Sequence, residues 1–127
     1  MSRTPETPAE TIRRAAVMLR ERADVATPGP WSHMCLGSEG CLVLRKHGTI
    51  RERGRGRVAR FGQKDWQSDH ADAEFVAAMH PGVAVALADW LDREAALIDA
   101  QVFPQSDPAM ERYPLAVAVA ILDEVAA

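Results

Sequence analysis

Seven basic residues crowd one short stretch of this chain: Arg45, Lys46, Arg51, Arg53, Arg55, Arg57 and Arg60, with Glu52 as the acid among them. Guanidinium groups bind phosphate through paired N–H donors, so the run is a candidate for contacts to a nucleic acid or another polyanion. Arg51, Arg53, Arg55 and Arg57 fall on every second residue, and in an extended strand they share one face. A two-stranded ribbon of that kind fits a DNA major groove. Against this, Gly54 and Gly56 loosen the tip, and no aromatic residues are interleaved for base stacking. The whole-chain pI of about 5.8 also lacks a basic footprint. A solvated arginine hairpin explains the same residues.

The second constellation is His33, Cys35, Cys41 and His47, four possible metal ligands close together in the chain. His33 and Cys35 are two apart and share a strand face, and Cys41 lies across a turn. A tetrahedral Cys2His2 zinc site is chemically reasonable. The spacing, two cysteines with five residues between them and no C-x-x-C knuckle, matches no common site. Two half-buried thiols and two surface imidazoles account for the residues equally, so no metal or other cofactor is expected. Catalysis has less support. His70 with Asp69, Asp72 and Glu74 could be a base with carboxylates, but acids at a helix start are expected for capping and for the helix dipole. His80, before Pro81, reads as a capping or packing histidine. No nucleophile elbow and no glycine-rich phosphate loop is present, and no catalytic residue is assigned.

The elements that would position these groups follow from pattern. Residues 1–6 read as a disordered tail. Thr7-Pro8-Ala9-Glu10 is a helix start with the signature of a capping box, and Ile12, Ala15, Ala16, Leu19 and Ala23 recur at helical spacing over roughly 8–26. That stripe is narrow and alanine-rich, so its partner must pack close. Thr27-Pro28-Gly29-Pro30 cannot continue a helix and delivers Trp31 into a strand. There the ring anchors a core edge, with an aromatic ligand platform as the alternative. Strands are predicted at 31–36, 41–46, 49–53 and 57–61, an antiparallel meander of three or four strands. A helix follows from near His70 with Ala71, Phe75, Ala78 and Met79 as its apolar side, then a break at His80-Pro81. The next helix, 82–100, carries Val83, Leu87, Trp90, Leu91 and Ile98 on one face. Pro114 places the last helix start at Tyr113 or Pro114, with Leu115, Ala118, Val119, Leu122 and Val125 as its stripe.

At 127 residues the chain is read as one domain, 1–127, able to bury a core unaided. The fold class is α+β: an N-terminal helix, a small antiparallel meander, then two to three C-terminal helices packed on one face of the sheet. Trp31, Phe75, Leu87, Trp90, Leu91, Ile98 and Leu122 are the expected core. No apolar run reaches membrane length and no secretory signal is apparent, so a cytoplasmic protein with reduced thiols is expected. The net charge of -3 hides an asymmetry: residues 1–64 hold 13 Lys+Arg and 6 Asp+Glu, residues 65–127 hold 2 and 12. Either the halves attract one another, within the fold or across a dimer, or the basic half meets an anionic partner.

Two segments carry a resemblance: Ala26-Thr27-Pro28-Gly29-Pro30-Trp31, and Asp72-Ala73-Glu74-Phe75-Val76-Ala77 leading into a helix that holds Leu87-Ala88-Asp89-Trp90-Leu91. Over roughly residues 15–95 the chain resembles small proteins of Streptomyces and related actinobacteria, similar ones being carried by phages and mobile elements. The resemblance implies an origin and not a reaction. The leading expectation is a non-enzymatic interaction or accessory protein with an unidentified protein partner, homodimeric through its helices. Polyanion binding through the ribbon 45–60 is the alternative, and a small metal-dependent or hydrolytic enzyme the second.

Overall fold

The computed structural model describes residues 4–36, 40–45, 57–62, 66–100 and 108–123, with the side chains of 66 and 108–110 outside that description. The chain is α+β. Its order is α1 (Pro8–Val25), β1 (Trp31–Cys35), β2 (Cys41–Arg45), β3 (Arg57–Phe61), α2 (Trp66–Ala78), α3 (Pro81–Ala100) and α4 (Pro108–Leu122). The strand expected at 49–53 lies outside the described residues. The chain divides into two compact units: one takes α1 through Arg22, α3 from Val85, and α4; the other is Ala23–Ala84. No helix among the described residues is long and apolar enough to cross a membrane.

In the helical unit, α1 begins at the expected capping box: the Glu10 amide donates to Thr7 Oγ1 at 3.2 Å, and the Thr7 amide to Glu10 Oε2 at 3.4 Å. Glu6 sits beside this cap. Its carboxylate accepts from Arg14 Nε and from the Thr11 hydroxyl, which hold the Glu6 pKa below its ordinary value. The core joins Ala9, Ile12, Ala15 and Ala16 of α1 to Ala88, Leu91 and Ala95 of α3 and Ala118 of α4. Alanine at so many contact positions lets the helices approach closely, as the narrow α1 stripe requires. Around that seam Arg13 pairs with Asp99, and Arg20 with Asp89 and Asp92, in half-exposed ion pairs. These pairs raise the Arg20 pKa further above its ordinary value. The first half's basic charge and the second half's acidic charge thus meet within one unit.

Two expectations for these helices are corrected. Helix α4 begins at Pro108, not at Tyr113 or Pro114, and carries Pro114 inside it. A proline there forfeits one backbone hydrogen bond, but its ring is buried, which offsets part of the cost. Trp90 is 37% exposed because the inward line of α3 runs through Ala88, Leu91 and Ala95. A residue two beyond Ala88 points about 200° away around the helix.

In the sheet unit, the strand order is β1-β2-β3, all antiparallel, with β2 central. Cys41, Leu42, Val43 and Leu44 are all buried, so β2 has both faces covered and reads as a continuous apolar run. Helix α2 packs against all three strands. Ala73 and Ala77 meet Cys41 and Val43, with Trp31, Val58, Phe61 and Val76 around them. The expected inner face of α2 is therefore wrong. Ala71, Phe75, Ala78 and Met79 are exposed, Phe75 by 68%, because the small residues fit against the sheet and turn the bulky ones outward.

The corner before the sheet is built as its sequence suggests. Trp31 is half-buried against the β2 cluster, and its indole N–H donates to the Thr27 carbonyl at 3.0 Å. The Gly29-Pro30 peptide is cis. His80 stands against this corner: a Cβ on Gly29 would lie 2.7 Å from His80 Nδ1. The same nitrogen accepts from the Gly82 amide at 3.1 Å, and the His80 carbonyl accepts from Val83 at 2.9 Å. His80 is thus the N-cap of α3, with Pro81 at the first helical position.

Candidate functional site

Chemistry-bearing groups gather at the edge where β1 passes into β2. Cys35 ends β1, Cys41 opens β2, and the register sets them directly opposite. The turn between them closes with the Leu36 amide donating to the Gly40 carbonyl at 2.8 Å. Gly40 has φ 77°, and a Cβ there would lie 2.4 Å from the Phe61 carbonyl oxygen, so only glycine fits. The two cysteines form a disulfide. This corrects the expectation of reduced thiols: opposed residues of an antiparallel pair put both side chains on one sheet face, within bonding reach.

Helix α2 completes the group. It brings His70 over this edge, with Nδ1 3.2 Å from Cys35 Sγ and Nε2 3.5 Å from Glu74 Oε2. The His33 ring meets the His70 ring edge-on, with centroids 5.3 Å apart. One donor atom each from Cys35, Cys41 and His70 lies within 4.8 Å of the others, and so does one each from His33, His70 and Glu74. Cys41 is buried, Cys35, His33 and His70 are half-buried, and Glu74 is exposed. Of the four ligands considered from sequence, His33, Cys35 and Cys41 come together, and His47 lies outside the described residues. His70, which in the sequence stands with Asp69, Asp72 and Glu74 rather than with these ligands, joins the group through the fold. The available signal was the strand-then-helix order, which folds α2 back across β1.

The arginine run is placed only in part. Arg45 is exposed at the end of β2, and Arg57 and Arg60 are exposed on β3, opposite Leu44 and Leu42. A bulge between Val43 and Leu44 shifts the register there, so residues three apart on β3 face the same side. Lys46, Arg51, Arg53 and Arg55 lie outside the described residues.

A second surface lies on α4. Its outward side, lined by Arg112, Leu115, Ala116, Val119, Ala120 and Asp123, forms an open depression of about 560 Å³. Val117, Ile121 and Leu122 turn the other way and pack on the helical core. The apolar centre is thus flanked by a cation at the N-terminal end and an anion at the C-terminal end.

Compared with protein-family models, curated proteins and solved structures, the chain matches none.

Proposed function

We propose that this chain is a small non-enzymatic interaction protein that works as a homodimer, joined through α4 of each copy. One observation carries the reading: the residues on the outward side of α4 are arranged symmetrically about the peptide between Val117 and Ala118. If a second copy lies antiparallel on this face, Arg112 meets Asp123, Leu115 meets Ala120, and Ala116 meets Val119, each pair occurring twice. A twofold interface needs such a self-complementary patch. Small residues at Ala116 and Ala120 allow close approach, and the end charges fix the antiparallel direction. The accessory role and the actinobacterial or phage origin are supported by the resemblance of the A-T-P-G-P-W and D-A-E-F-V-A segments.

Sedimentation or light scattering tests the dimer. The wild-type chain should have twice the 13.9 kDa monomer mass at micromolar concentrations. Reversing one end charge, Arg112→Glu or Asp123→Arg, should weaken dimerisation about tenfold, and combining the two should restore it, because opposite charges again face one another. A monomer mass at about 100 µM, or a double variant no better than the singles, rejects this interface.

A further inference from the structure

We propose that the β1–β2 edge is a redox-gated zinc site, in which Cys35, Cys41, His70 and His33 bind one Zn²⁺ once the Cys35–Cys41 disulfide is reduced. The proposal concerns the sheet unit alone and does not rest on the dimer. In the disulfide the sulfurs are bonded to each other and neither can serve as a thiolate ligand. A dithiol reductant transfers two electrons: its own sulfurs join, the Cys35–Cys41 bond breaks, and each cysteine sulfur takes a proton. Zn²⁺ then displaces both protons to solvent and binds the two thiolates. Zinc ligands must be deprotonated, and two thiolates balance the ion's charge.

The neighbouring residues supply the rest of the coordination. His70 Nδ1 already stands 3.2 Å from Cys35 Sγ, so a metal held by that sulfur comes within reach of the imidazole. His33 lies two residues before Cys35 on the same strand, with its ring edge-on to His70 and a ring nitrogen grouped with donor atoms of His70 and Glu74, and it becomes the fourth ligand by turning from Glu74 toward the sulfurs. Glu74, one helical turn beyond His70, faces the other ring nitrogen. A histidine ligand commonly donates its remaining N–H to a carboxylate, which fixes the ring and the tautomer. Two thiolates and two imidazoles favour zinc over magnesium or calcium, which take oxygen ligands. Zinc–sulfur bonds of about 2.3 Å in a tetrahedron put the two sulfurs roughly 3.8 Å apart, a separation reached by rotating the freed side chains. The half-buried histidines leave an entry path beside the buried Cys41.

The test uses Co²⁺ as a spectroscopic stand-in for zinc on the full chain. The protein is reduced with a dithiol, freed of it by gel filtration without oxygen, and titrated. One equivalent should bind, giving the ligand-field bands of tetrahedral cobalt and a thiolate-to-metal charge-transfer band. Zn²⁺ should displace the cobalt, and the oxidised protein should show neither band. His70→Ala and His33→Ala, at half-exposed positions that leave the core intact, should each weaken binding at least tenfold. Less than a tenth of an equivalent bound, cobalt bound without the charge-transfer band, or unchanged affinity in either histidine variant overturns the proposal. Equal cobalt uptake by the oxidised chain also overturns it, because the gate would then be absent.

Discussion

Trp31 serves the sheet unit twice: its ring lies against the β2 cluster and its indole N–H closes onto the Thr27 carbonyl. The half-buried ring makes Trp31→Ala cost about 2–4 kcal/mol, somewhat less than the roughly 3–5 kcal/mol of a fully buried aromatic. Trp31→Phe should lose about 1 kcal/mol with the hydrogen bond. Urea unfolding measures both, and an Ala variant within about 0.5 kcal/mol of wild type would show that the ring is no anchor. Gly29 is constrained from outside, because its missing Cβ leaves the space that His80 occupies. Gly29→Ala should destabilise by about 1–3 kcal/mol through overpacking. With His80→Ala the two effects should fall short of additive, since removing the imidazole empties that space. Strict additivity would mean that the Gly29–His80 contact carries no energy.

At the scale of elements, the start of α1 is controlled by charge. The Glu6 pKa is lowered by hydrogen bonds from Arg14 and Thr11. The carboxylate therefore steadies the helix start above the ordinary glutamate range, and this support is lost as pH falls through the lowered, folded-state value. Chemical shifts of the Thr7–Thr11 amides should show this helix end loosening on acidification, and Glu6→Gln should remove that step. An identical pH profile in the variant would assign the loosening to another group. Helix α2 shows where pattern reading fails. Its sequence offers two stripes, one of bulky residues around Phe75 and one of small residues through Ala73 and Ala77. Hydrophobicity favours the first, but the distance between helix and sheet selects the second. Pro114 misled in a related way: the cost of a missing donor is local and visible in sequence, while the burial of its ring is not.

Over the whole molecule, the charge asymmetry resolves partly into the pairs Arg13–Asp99 and Arg20–Asp89/Asp92. Half-exposed pairs of this kind contribute modestly. They act more as a registration of α1 on α3 than as a source of stability, which comes from the alanine seam and Leu91. Placing the proposed dimer contact on α4 and the proposed zinc site in the sheet unit makes them separable: Arg112→Glu should leave cobalt binding unchanged, and His70→Ala should leave the dimer intact.

Local rules in the sequence were enough for the capping box at Thr7 and Glu10, the rigid corner at Pro28–Trp31, the three described strands, the α3 cap at His80 and the α+β class. Each depends on residues near in the chain, through backbone geometry, missing donors or side-chain periodicity. Tertiary structure alone decided what depends on distant residues. It turned Phe75 outward, buried Pro114, set Cys35 against Cys41 in register, and brought His70 to their side from 35 residues away. Such contacts follow from how closely elements pack and in which register, and no local pattern encodes either one.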